Sequence, residues 1–441
     1  MADGPLSGVS VIEFSHIYAA PYAGMHLADL GADVIKVEPP GGEAFRHSGS
    51  VVPGTSKSFQ WLNRGKRSLV LDLANPRALA IVHRLVTDTD VVLINYRPGV
   101  PARLGIDYQT LRGIRPDLIY MDITGFGREG PWATEAASDL VAQAFSGAIA
   151  AEGKLDDDGA PESIRSLAVG DLVTGLASAM GICAALHHRD CTGEGQLIEA
   201  ALVRSAMAVI GTVVNREPVA DAVQIAPTMA QVDALLARGA PYREIAELRR
   251  GAATATTGAA FRLYYSGYVA RDGALVLGAL TPENRAAMRR VLGITNDPSA
   301  SPDFNAFDPA NVPIIEAVRR EIIRTMRTRT VAEWIADFRT AGAPASPVNF
   351  GEKLFDDEQA HHYFVELEHP LTGVEQQIGP IVDMSKTPTS VARPAPILGQ
   401  DSEDVLLAAG YSADEIEALV DDHVVLLAHP APDPARRLSG G

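Results

Sequence analysis

Short apolar strands alternate with helical segments through the first half of this chain, and that alternation limits its fold most. VSVIEF (9–14), DVIKVE (33–38), RSLVLDL (67–73), DVVLIN (90–95) and LIYMDIT (118–124) are apolar runs of strand length. Residues 22–30 carry a helical pattern stopped by Gly31, residues 76–87 a helix opened by Asn75 and Pro76, and a helical turn falls near 108–113. Strands joined through helices pair in parallel, with both sheet faces covered. The expected fold class is α/β with a Rossmann-like parallel sheet. The turn after the first strand reads SHIYAAPYAG rather than GxGxxG, and GFGREG (125–130) follows a later strand. A nicotinamide or flavin cofactor is not expected.

At 441 residues two domains are the natural expectation. The net charge of -17 argues against nucleic acid or an anionic membrane as partner. The N-terminus has no basic segment ahead of an apolar core, and continuous apolar runs fall short of a membrane span. Cys183 and Cys191 make neither a disulfide framework nor a zinc site, and the histidines lack HExxH spacing. Asp156, Asp157 and Asp158 read as a solvated turn. These features describe a cytoplasmic, metal-independent protein with no tightly bound cofactor.

Further along, 138–150 reads as a small-residue helical segment and 196–214 as an apolar segment. Residues 216–250 are helical and charged, and a hairpin turns at Asp272-Gly273. Helices follow near 283–292, 313–327 and 331–340, then strands and loops over 366–391 and a helical pair over 400–420. The expected division is a large domain over 1–217 and a small α+β domain over 218–345. Residues 429–441 read as a disordered tail.

The candidate chemistry lies in LAVGDLVTGLASAMGICAA (167–185), where an apolar run breaks at Gly170 and a small-residue helix starts at Asp171. Two readings are open on spacing alone. Asp171 caps the helix by bonding free backbone N–H groups, or those groups and the helix dipole hold it as a carboxylate nucleophile.

The motifs PLSGVSVIEF, LADLGADVIKVEPPGG, NRGKRSLVLDL, NYRPGVPARLGIDYQTL, PDLIYMDITGFGREGP, QAFSG, and GDLVTG followed by TGEGQ occur in that order. Together they resemble the family III CoA-transferases, the group that includes formyl-CoA:oxalate and carnitine CoA-transferases and the 2-methylacyl-CoA racemases. The resemblance implies a large Rossmann-like domain to which residues 346–428 return, and two ring-like subunits interlocked as a homodimer. Its substrates would be an acyl-CoA and a free carboxylic acid. Asp171 would be the nucleophile, passing through an aspartyl anhydride and a β-aspartyl-CoA thioester. Gly258 lies in a segment similar to the family's glycine loop, and it and Gly170 would offer N–H groups to developing oxyanions. CoA contacts would fall on His16, Ile17, Tyr18, Leu71, Asp72, Leu73, Ala74, Asn95, Tyr96, Arg97, Arg103, Ser138 and Asp139. Lys66 and Arg67 either add phosphate contacts or cap a strand.

Two departures narrow the implied activity. Ser138 stands where the racemase branch carries a histidine, which disfavours α-proton exchange. Tyr18 and Ser138 stand where the oxalate-specific enzymes carry glutamine and tyrosine, which points to a larger or more apolar acid. A racemase-type isomerase and a non-catalytic CoA-binding protein are the alternatives.

Overall fold

The computed structural model describes residues 4–164, 166–256, 260–306 and 308–428. The chain divides into two compact units. The first comprises the chain up to Glu152, Glu162–Asn215 and the part from Ala360 on; the second comprises Gly153–Pro161 and Arg216–Gln359.

In the first unit, β1 (Ser10–Phe14), β2 (Asp33–Glu38), β3 (Arg67–Leu71), β4 (Val91–Ile94) and β5 (Ile119–Thr124) form where the apolar runs predict them. Two further strands join the same sheet. β6 (Leu197–Ala201) comes from the stretch read only as apolar, and β12 (Val425–Leu426) from a stretch with no strand expected. The order is β12-β3-β2-β1-β4-β5-β6, parallel except for β12 against β3.

The intervening helices are α1 (Ala19–Asp29), α2 (Lys57–Asn63), α3 (Pro76–Val86), α4 (Val100–Leu104) and α5 (Tyr108–Ile114). Later come α6 (Asp139–Ser146), α7 (Ala148–Glu152), α8 (Val169–Thr192) and α9 (Leu202–Val209). Local chemistry sets their starts: Ser56, Asn75 and Asp107 accept first-turn N–H groups of α2, α3 and α5. Both sheet faces are buried, so the strands need not alternate with polar residues. Ile12, Phe14, Leu69 and Val92 pack with Ile81 and Leu406 on one side. Val11, Val34, Leu93 and Met121 pack with Leu27, Ala179 and Ile182 on the other.

Among the described residues α8 is the one helix long and apolar enough to cross a bilayer, a possibility that continuous apolar runs did not reveal. Half of that stretch is buried, packed on α1, α9 and β5.

The exposed side of β3 is closed by residues from the far end of the chain. The Ser68 N–H donates to Asp401 Oδ2 at 2.9 Å and the Val70 N–H to Ser402 Oγ at 3.1 Å, and β12 pairs beside them. β10 (Phe364–His369) and β11 (Gly373–Ile378) form a separate hairpin in this unit.

The second unit holds an antiparallel sheet of β7 (Tyr265–Val269), β8 (Ala274–Gly278) and β9 (Ala345–Pro347). Helices Pro282–Leu292, Val312–Met326 and Val331–Thr340 enclose its core of Leu275, Leu277, Met288, Ile322, Trp334 and Phe338.

Candidate functional site

The chain leaves β1 toward β2 on one side and later returns to place β4 on the other. The carboxyl ends of β1 and β4 therefore form the topological switch point, where doubly wound sheets open a crevice for ligands. Ser15–Tyr18 follow β1 there, and Asn95–Arg97 follow β4. The two segments are clamped together. Asn95 Oδ1 accepts the His16 N–H at 3.0 Å, its Nδ2 donates to the His16 carbonyl at 2.8 Å, and the His16 and Tyr96 rings stack at 4.9 Å. Burial, and secondarily the Lys36 ammonium, hold the His16 imidazole below its ordinary range. Tyr18 packs edge-on to Phe45 and Trp61. Arg97 and Arg103 are exposed, the latter in the last turn of α4.

Leu71 ends β3, beyond β2 in the sheet order, and Asp72–Ala74 follow it at the carboxyl end, with the Ala74 N–H bonded to Asp72 Oδ1. They share that end of the sheet with the clamped segments. Gly258 lies outside the described residues.

Asp171 sits in the first turn of α8. That helix runs parallel to α1, because Gly175 faces Ala19 and Tyr22 while Ala179 and Cys183 border a pocket with His26 and Asp29. The α1 start follows directly from the β1 loop, so Asp171 is carried at the same end of the sheet as His16–Tyr18. The approach is close: a Cβ on Gly175 would stand 2.7 Å from the Ala19 carbonyl oxygen. Small residues are needed for that contact.

Asp171 does not cap its helix. Asp139, at the start of α6, does so from outside: its Oδ1 accepts the Gly170 N–H at 2.7 Å and the Asp171 N–H at 3.2 Å. Gln143 supports Asp139, donating Nε2–H to its Oδ2 at 2.5 Å while its Oε1 accepts the Ile164 N–H. Gly170 has therefore already committed the N–H that sequence reasoning offered to an oxyanion. Among the described residues no donor reaches the carboxyl group of Asp171, a residue only 8% exposed. Burial, reinforced by the Asp139 charge, pushes it up to about 7. Ser138, before Asp139, is exposed.

Lys66 contacts no solvent and is unavailable to a phosphate. Its ammonium bonds Glu13, Asn63 and the Pro21 carbonyl. Arg67 instead pairs with Asp33 at 3.0 Å. Lys36, opposite Glu13 in the β1–β2 register, bonds Glu13 Oε1 at 3.2 Å and both Ser15 oxygens. Burial alone would raise the Glu13 carboxyl, but Lys66 and Lys36 together hold it below its ordinary range.

Fold and site define a doubly wound α/β protein in which a buried, uncapped carboxyl group and the switch-point loops share one end of the sheet. The chain belongs to CoA-transferase family III, whose sequence profile matches residues 6–402. It is similar to succinate–glutarate CoA-transferase of Agrobacterium fabrum, 34% identical over 91% of this chain and 95% of that one. It is also similar to succinyl-CoA:mesaconate CoA-transferase of Haloarcula hispanica, 30% identical over 95% of this chain and 100% of that one. A CAIB/BAIF family protein from Brucella suis superposes with a TM-score of 0.70 at 28% identity, covering 92% of this chain and 100% of that one.

Proposed function

We propose that this enzyme moves CoA from an acyl-CoA donor to a free carboxylic acid through covalent intermediates on Asp171. The observation that carries this reading is a buried Asp171 carboxyl group relieved of capping by Asp139. A carboxylate stripped of water and hydrogen bonds is a stronger nucleophile than a solvated one.

The Asp171 carboxylate attacks the donor thioester carbonyl and expels the CoA thiolate, leaving a mixed anhydride. The thiolate attacks the aspartyl carbonyl, releases the donor acid as its carboxylate and forms the β-aspartyl-CoA thioester. The acceptor carboxylate then attacks that thioester, forming a second anhydride and freeing the thiolate again. Attack of the thiolate on the acceptor's carbonyl yields the new acyl-CoA and regenerates the Asp171 carboxylate. Each step exchanges one activated acyl group for another, and no proton is consumed.

The switch-point residues His16–Tyr18, Tyr96 and Arg97 bind the CoA moiety in this reading, with Arg97 and Arg103 exposed and suited to its phosphates. Leu71–Ala74 border the same end of the sheet. The relatives' names support a succinyl-CoA donor and a dicarboxylic acceptor of five carbons. The departures at Tyr18 and Ser138 agree with an acceptor other than oxalate. The enzyme acts as a cytoplasmic homodimer. Exposed Leu176 and Met180 on α8, which border an apolar pocket of about 170 Å³, support a second copy covering this face.

The test is intact-protein mass spectrometry after incubation with succinyl-CoA, followed by borohydride or hydroxylamine. A modification mapped to Asp171 and absent from Asp171→Ala is expected. Transfer of CoA to glutarate with no aspartyl adduct under any quench would overturn the covalent route.

A further inference from the structure

Ile17 occupies a backbone conformation that its side chain resists. Its φ is 71°, in the left-handed region, where a β-branched residue is strained. Among the described non-glycine residues only His423 shares a positive φ. Such strain persists where surrounding contacts over-determine the geometry.

Two side chains supply those contacts. Glu43 Oε2 accepts the Ile17 N–H at 3.0 Å, and Asn95 uses both ends of its amide on the two backbone groups of His16. Glu43 is itself held from below. It is 4% exposed, its Oε1 lies 3.5 Å from the Lys36 ammonium, and Lys36 is anchored by Glu13 and Ser15. The loop is fixed at His16 by an amide and at Ile17 by a buried carboxylate. With its amide spent on His16, Asn95 is occupied with loop geometry rather than free for a ligand.

We propose that Glu43 and Asn95 are positioning residues that hold the loop after β1, with Ile17 in the left-handed conformation, in the shape that receives the acyl-CoA. This rests on the reading of that loop as a CoA-binding segment. Ile17 is exposed, so the strained geometry turns its side chain outward and keeps its N–H inward on Glu43. Without the carboxylate the residue relaxes to an ordinary φ, and the loop must be re-formed each time substrate binds.

The test uses the full-length enzyme with succinyl-CoA and glutarate. Glu43→Ala is expected to raise KM for succinyl-CoA by about tenfold, the scale of one strained residue, while kcat changes far less. Glu43→Gln keeps an acceptor for the Ile17 N–H and is expected to retain most of the affinity. Adding Ile17→Gly to Glu43→Ala is expected to recover affinity, because glycine adopts the left-handed geometry without strain. A general loss of stability would not be repaired by that second change. If Glu43→Ala fails to fold, Asn95→Ala, at the half-buried end of the clamp, gives the same KM-selective effect.

Hydrogen exchange of the peptide spanning 15–18, with and without CoA, separates the two layers of the proposal. Protection by CoA in the wild type, with KM unchanged in both Glu43→Ala and Asn95→Ala, would overturn the positioning role alone. No protection of 15–18 would remove the CoA-binding reading and the positioning role with it.

Discussion

Asp139 Oδ1 accepts the backbone N–H groups of both Gly170 and Asp171, so a carboxylate from one helix terminates another. The same charge that serves as cap also opposes ionisation of Asp171. Asp139→Asn separates the two effects, since asparagine still offers a capping oxygen but no charge. The acid limb of kcat/KM is expected near pH 7 in the wild type and at lower pH in Asp139→Asn, with burial still holding it above the free carboxylate value. Asp139→Ala should also lose ~1 kcal/mol of stability with the cap. A limb that stays in place in Asp139→Asn would refute the electrostatic coupling.

Asp171 itself trades stability for reactivity. Its carboxyl group titrates near 7 in the folded chain against 3.8 when free. Between those values the folded state holds a proton that the unfolded chain has released, so stability falls as pH rises from about 4 to 7. Asp171→Asn removes that dependence along with the nucleophile. The variant is expected to be inactive yet more stable at pH 8, by at most about 4 kcal/mol, and equal to wild type near pH 4. Thermal melts across that range check the sign; a variant less stable at pH 8 contradicts it.

Gly175 fixes how closely α8 approaches α1. An added Cβ would meet the Ala19 carbonyl oxygen at 2.7 Å and Tyr22 at 3.0 Å, whereas at Gly181 the nearest atom is 3.4 Å away. Gly175→Ala should cost about 1–3 kcal/mol and lower kcat, because Asp171 lies one turn earlier on the same helix. Gly181→Ala should be tolerated. Equal denaturation midpoints for the two variants would show that the α1–α8 contact does not limit packing.

The buried ion network beneath the β1 loop is expected to depend on each member. Glu13→Gln leaves Lys36 and Lys66 short of charge compensation and should cost about 3–5 kcal/mol in urea unfolding. Adding Lys66→Met removes one of the orphaned ammonium groups and should restore part of the loss. A double variant less stable than the single one would show that Lys66 has sufficient partners without Glu13.

The parallel sheet was legible because burial on both faces forces near-continuous apolar strands, a pattern seen in VSVIEF and DVIKVE. β6 was not, since LIEAA at the outer position is only half-buried and carries Glu199. Nor was β12, whose two residues leave no period to read. Asp171 could be placed at a helix start from local spacing, but its lack of a capping role could not. That depends on Asp139, more than thirty residues earlier, brought in by the packing of α6 on α8. Glu43 sits in a glycine-rich turn whose composition suggests only a bend, and its contact with Ile17 is tertiary. Lys66 looked accessible because nothing local signals that Glu13 lies beneath it.

The closure of β3 by Asp401, Ser402 and β12 has a consequence for how the protein comes into being. Translation at about 5–20 residues per second delivers these groups on the order of tens of seconds after β3 emerges. During that interval the sheet carries an open flank of unpaired amides, and the second unit is made before the flank is sealed. The nascent protein is therefore most prone to wrong strand pairing midway through its synthesis, and a ribosome stalled after the second unit would release a chain with that flank still bare.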